Sequence, residues 1–349
     1  MDIKITGSRF KNLLSYEWIK ILVAIFAGVI VWSLMFTIFA TRATVGEQFV
    51  LVVYENVYTQ NQNKNYEVLR DMKEKGVFSY DVLKTSVNPI TSAGQYSASY
   101  MLSLRATTQE GDVMLISDGS LAKELASQGG TSGESSAEST SQEDPSEEIK
   151  SAINARYFYD INEFLNDAKD YCLTVGGGFI TPNEDGSYTV NKDVIATYFR
   201  NVRMKSASNY RKTYRTEEQI KGAIELEIKR ITDIYENYLY LSNAIKKAQD
   251  SGADFLWYGD IYDYDEEGKL DETKPTTYAL GIDLHKLNSP FIGQKDMPKV
   301  EDTWYTYANG KTSSKGLVMC VFDFQYYQAD LQYESLAFLT HIVKTYSKY

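Results

Sequence analysis

Asp112-Val113-Met114-Leu115-Ile116-Ser117-Asp118 is the stretch that decides the fold. Its middle is an unbroken apolar run between two carboxylates. A strand covered on both faces reads this way, because neither side of it meets water. A helical segment, Ala93 to Gln109, and Gly111 come before it, and Leu121 to Ala126 begins another helix after it. Upstream, Phe49-Val50-Leu51-Val52-Val53-Tyr54 is a second buried strand. Asn65 to Lys75 then places Val68, Leu69 and Met72 on one helical face, and Gly76 supplies the stop. A further strand is expected within Val77 to Val87. Strand and helix alternate, which predicts parallel strands joined by right-handed crossovers. The expected class is α/β with a parallel or mixed sheet.

After this first α/β part, 45–126, the composition changes. Ser127 to Glu148 is Ser, Gly, Thr and Glu with almost nothing apolar to offset the entropy of ordering. It reads as a disordered linker over 127–148. The second part, 149–349, opens with Ile161, Phe164, Leu165 and Ala168 at helical spacing. Phe179 to Val190 reads as a hairpin turning at Asn183-Glu184-Asp185-Gly186. Glu217 to Asp250 is one long helix, with Thr216 and Gln219 as a capping box and Gly252 beyond its end. Its apolar positions alternate by fours and threes, with Glu227 as the break. That spacing suits a helix lying across a core, or a coiled-coil seam. Strands at Thr277–Asp283 and Gly316–Phe322 and a helix from Leu331 to Tyr346 close the chain.

Ile21 to Ala40 is a run of twenty residues without a charge. At about 1.5 Å per residue it reaches roughly 30 Å, the thickness of a bilayer core. A signal peptide's apolar region is shorter, so the run is expected to remain as an anchor, 21–41. The arm 1–20 carries Lys4, Arg9, Lys11 and Lys20, which favours a cytoplasmic N-terminus and an extracellular C-terminal domain. No second such run exists, which argues against a channel or polytopic transporter. The formal net charge of −11 arises beyond the span and argues against nucleic acid. The Tyr-, Ile-, Lys- and Asn-rich composition has the look of a Gram-positive bacterium. Two cysteines, Cys172 and Cys320, can pair or stay as buried thiols, and two histidines exclude a three-His centre within one chain.

Certain phrases carry a resemblance. Leu104 to Asp118 is helix, Gly-Asp turn and a strand ending in Asp. Tyr278–Leu284, Gly316–Val321 and Tyr333–Val343 follow as late strands and a closing helix. The first phrase resembles the N-terminal lobe of bacterial extracellular solute-binding proteins, and the later ones resemble that family's returning strands and closing helix. The resemblance implies a periplasmic-binding-protein-like α/β domain with ligand at the carboxyl ends of its strands. It nominates Glu55 and Asn56 after the first strand, Ser117 and Asp118 after the third, and residues near Tyr258. The chain departs from that family in three ways: a membrane helix replaces a lipidated Cys, the middle is short for a second lobe, and the linker is inserted.

Trp257-Tyr258-Gly259-Asp260-Ile261-Tyr262-Asp263-Tyr264-Asp265 is the densest aromatic–acid cluster, with Trp304, Tyr305 and Tyr307 as a second group. Rings that stack on sugar C–H faces, beside carboxylates that accept hydroxyl protons, form a sugar site; the plain alternative is packing. Trp257, Tyr258, Asp260 and Trp304 are therefore added to the candidate site. Asp263, Asp265, Glu267, Gly268 and Asp271 partly match a calcium loop, but Lys274 stands where its bidentate Glu belongs, so no metal is expected. Gly176-Gly177-Gly178 lacks the Lys of a phosphate loop, and no nucleophile elbow or zinc signature occurs. The expectation is recognition without catalysis or cofactor, of a small molecule or carbohydrate, for a transporter or sensor. Its rival is a scaffold with a degenerate cleft, bound to an envelope protein partner.

Overall fold

A computed structural model describes residues 7–39, 47–92, 97–128, 145–204, 214–263, 271, 273–323 and 333–349. The chain divides into two compact units, Met1–Thr44 and Val45–Tyr349. The first contains one helix, α1 (Gly7–Phe39). Its window Trp18–Met35 has a mean hydropathy of 2.2 and no buried share, so it is long and apolar enough to cross a membrane. The helix already begins at Gly7, within the expected arm. Residues 40 and 41 of the expected span lie outside the described residues.

The second unit is built on six strands in the order β3 (Lys84–Ile90), β1 (Gln48–Tyr54), β4 (Val113–Ser117), β11 (Leu317–Val321), β8 (Thr276–Asp283) and β7 (Leu256–Ile261). β1 runs parallel to β3 and to β4, as the alternation of strand and helix predicts. The other half is antiparallel: β11 descends beside β4, β8 rises beside β11, and β7 is the edge. Since β4 and β11 are neighbours, the parts on either side of the expected linker share one sheet. Of that linker, 129–144 lie outside the described residues. Its two ends are helical, in α4 (Ser120–Gln128) and α5 (Pro145–Asn154).

The central strands alternate between two cores, and that is why they read as continuous apolar runs. Phe49, Leu51 and Val53 of β1, Leu115 of β4 and Met319 of β11 enter the larger core with Phe164 and Phe338. Val52, Met114, Ile116, Val318 and Cys320 point to the opposite face, onto Ala98 and Leu102 of α3 (Ala98–Thr108) and Ile149 and Ile153 of α5. Each such side chain, fully buried, contributes about 1.5–3 kcal/mol. The two cysteines are free and buried, Cys172 in the first core and Cys320 in the second, so they do not pair.

β3 lies further along the chain than the Val77–Val87 expected. Val77 N–H bonds back to Met72 O at the end of α2 (Asn63–Glu74), while Tyr80 and Asp81 turn inward to the long helix. That helix, α8 (Glu217–Asp250), follows α6 (Ile161–Thr174), the hairpin β5–β6 (Ile180–Pro182, Tyr188–Val190) and α7 (Lys192–Tyr198). It has the predicted capping box, and it packs against α6 and the closing helix α9 (Glu334–Tyr346), lying across the core. Glu227, the break in its apolar spacing, seats a buried ion network. Its carboxylate accepts from Arg230 at 2.8 and 3.0 Å and from Tyr80 at 2.8 Å, and lies 3.4 Å from Arg203 Nε. Asp81 pairs with Arg203 and sits 3.6 Å from Arg230.

Candidate functional site: a groove at the carboxyl edge of the sheet

The strand registers bring the ends of β1, β3, β4 and β8 and the starts of β11 and β7 to one edge of the sheet. Glu55, Asn56, Ser117, Asp118, Trp257 and Tyr258 all stand along that edge. Their roles differ. Glu55 accepts from Ser92 N–H at 2.7 Å and so ties down the loop after β3. Asn56 bonds both backbone groups of Ser117. These three residues buttress the edge and are not in the lining of the groove beside it.

Asp118 does line it. Its Oδ1 accepts from the N–H of Ser120 at 2.8 Å and from the Ser120 hydroxyl, which turns the chain into α4. Gly316 has a φ of +74°, and a Cβ there would come 2.3 Å from Asp118 Oδ1. Only glycine lets the approach to β11 pass so close. From Asp118 a groove of about 490 Å³ runs between α4 and α5 on one side and β7 on the other. Ile149 and Ile153 supply its apolar wall, Trp257, Tyr258 and Asp260 its strand side, and Lys123, Lys150 and Asn154 its polar rim. Gly259 lets α5 lie this close, since a Cβ there would meet Leu280 Cδ1 at 2.7 Å and Ile153 Cδ1 at 3.2 Å.

Trp257 is half-buried, packed against the second core, while Tyr258 is 44 % exposed. The Tyr258 hydroxyl donates to Asp254 at 2.6 Å; burial, and then this bond, push its pKa up to about 12. The phenol therefore stays neutral at physiological pH. Asp260 accepts from the Thr277 hydroxyl at 2.6 Å, and Asn154 accepts from Tyr262 N–H at 3.3 Å. The groove thus presents a tyrosine face and part of an indole beside two partly engaged carboxylates and two ammonium groups.

Trp304 belongs elsewhere. It opens β9 (Trp304–Ala308), is wholly buried, and donates its indole N–H to Asn65 at 2.6 Å. It is a core residue, out of reach of a ligand. Its neighbours Tyr305 and Tyr307 join Tyr58 on the small sheet β10-β9-β2 (Lys311–Ser313, Trp304–Ala308, Tyr58–Thr59). The ring centroids of Tyr58 lie 6.1 and 6.2 Å from those of Tyr305 and Tyr307.

Sequence reasoning missed Lys123, Lys150 and Asn154, because α4 and α5 flank a stretch that reads as linker. The apolar pair Ile149 and Ile153, four residues apart, was the signal for α5. A second polar cluster joins His285 Nδ1, Ser314 Oγ at 2.8 Å, and Glu301. Ser314 is fully buried and its hydroxyl bonds Glu301, so the trio braces loops. Among the described residues no group of three or more His, Cys, Asp or Glu is placed to hold a metal ion. Most of the partial calcium loop, 264–270 and 272, lies outside the described residues.

No family model matches the chain, and no curated protein and no solved structure matches it either.

Proposed function

We propose that this chain is a single-pass membrane-anchored recognition protein. Its α/β unit captures a hydroxylated small molecule or glycan outside the cell, without catalysis, for a transporter or sensor. The observation that carries this reading is the groove, which gathers Asp118, Trp257, Tyr258 and Asp260 from two distant parts of the sequence. An exposed ring gives a sugar its stacking surface, and carboxylates accept its hydroxyl protons. The late strand β11 returns beside the early strand β4, the order expected from the solute-binding resemblance that this reading draws on. Here the site lies within one compact unit, so capture needs no closure of two lobes. The basic residues ahead of the span favour a cytoplasmic N-terminus. The test is a sugar panel applied to the full chain in lipid nanodiscs, with Trp257→Ala and Tyr258→Ala alongside. Saturable binding, weakened about ten-fold in either variant, supports the reading; binding untouched in both variants refutes it.

A second reading, a scaffold bound to an envelope protein, draws on the tyrosine patch. Tyr58 is 44 % and Tyr307 is 55 % exposed, and tyrosine is enriched where proteins dock. Crosslinking in membranes from a tyrosine-site photoprobe tests it.

A further inference from the structure

We infer that the ligand of the groove is anionic: a hydroxylated ring carrying a carboxylate or a phosphate, held by Lys123 and Lys150. The inference rests on the sugar-binding reading above and specifies its chemistry.

The chain has 47 acidic side chains against 36 Lys and Arg, and along its surface some ammonium groups find a carboxylate while others do not. Lys75 does, with Asp71 at 2.7 Å, as do Lys229 with Asp233 and Lys315 with Glu124. Lys123 and Lys150 line the groove from α4 and α5, and the ammonium group of neither makes an ion pair or hydrogen bond with a described residue. The carboxylates near them are each partly engaged elsewhere. Glu124 is taken by Lys315, Asp118 by Ser120, and Asp260 by Thr277. Two positive charges therefore face one cavity, across from an aromatic strand, in a protein of net charge −11.

That global charge does not decide the matter at close range. In physiological salt the screening length is about 8 Å, so distant carboxylates fade while the two ammonium groups act directly on a guest. Ring hydroxyls meet Asp118 and Asp260, and the acidic substituent lies toward the lysines. At such exposed sites each charge–charge contact is worth about two- to five-fold in affinity.

The experiment uses the full chain in nanodiscs of neutral lipid, titrated with matched sets: glucose, glucuronate and glucose 6-phosphate, and the corresponding galactose series. The variants are Lys123→Gln/Lys150→Gln and Trp257→Ala, each verified as folded by circular dichroism. The inference expects the acidic members to bind about four- to twenty-fold tighter than the neutral one. It expects that preference to shrink in high salt and vanish in the double lysine variant, while Trp257→Ala weakens neutral and acidic members alike. Preference for the carboxylated or for the phosphorylated member names the source of charge. If neutral sugars bind as tightly, or the double variant keeps the preference, the inference is overturned and the sugar site stands. If no member binds the folded wild type, the sugar reading itself falls and takes the inference with it.

Discussion

Asn56 grips the backbone of Ser117 from both sides: its Nδ2 donates to Ser117 O at 3.1 Å, and its Oδ1 accepts from Ser117 N–H at 3.0 Å. The amide stitches the end of β1 to the end of β4, just beyond their last ladder pairs. Asp118, the next residue, owes its place at the mouth of the groove to that stitch.

Asn56→Asp is nearly isosteric but turns the donor into a second acceptor facing a carbonyl. The expected cost is about 1–3 kcal/mol, read as a lower urea midpoint with an unchanged m-value. Ligand binding to the groove should weaken as well. A variant as stable as wild type would remove the amide's structural role.

The network at Glu227 ties three segments together, so truncating it should be severe. Glu227→Ala leaves Arg203 and Arg230 buried without their shared carboxylate, at an expected cost of about 3–5 kcal/mol. Burial alone would raise the Glu227 pKa. The Arg230 and Arg203 guanidiniums outweigh it and hold the carboxyl at about 2, against 4.5 ordinarily. Its contribution is therefore complete above about pH 4.5 and is lost as pH falls toward 2. Urea titrations through this window should show a steeper acid loss for wild type than for Glu227→Gln.

Asp323 has the opposite sign. Burial, then the charges of Glu163 and Asp167, push its pKa from 3.8 up to about 6. A raised carboxyl favours the folded state when protonated, so its stabilising effect is present below pH 3.8 and lost as pH rises through 6. Asp323→Asn should therefore melt higher than wild type at pH 7, with the difference gone near pH 4. A lower melting temperature at pH 7 would contradict this.

Cys172 and Cys320 sit in cores on opposite faces of the sheet, and burial pushes both thiols up, that of Cys172 to about 12. Reductant should leave the melting temperature unchanged. Aromatic disulfide reagents should label neither thiol in the folded protein and both in denaturant.

Much of the fold was legible because its cause is local. The runs Phe49–Tyr54 and Val113–Ile116 are apolar throughout, since each side chain along them packs on one core or the other. Thr216 and Gln219 marked the start of α8 because a capping box acts within four residues. What was not legible depends on distant partners. Nothing in Tyr80 or Asp81 announces that they turn inward to Arg203 and Glu227, which displaced β3 from its expected place. Trp257 and Trp304 look alike in sequence, each beside tyrosines. The partner that separates them, Asn65 for Trp304, lies far off in the chain. Lys123 and Lys150 carry no site signal in sequence, because their helices border a Ser- and Glu-rich stretch and only the fold brings them to the groove that Tyr258 lines.

The central claim is that ligand enters the groove between β7 and the helices α4 and α5. The most direct test is amide hydrogen exchange of the full chain in nanodiscs, with and without the tightest sugar from the panel. The account predicts saturable protection in Trp257–Tyr262, Asp118–Lys123 and Ile149–Asn154, with no change at Tyr58 or Tyr305–Tyr307. Protection confined to the tyrosine patch, or none anywhere despite measurable binding, would contradict it.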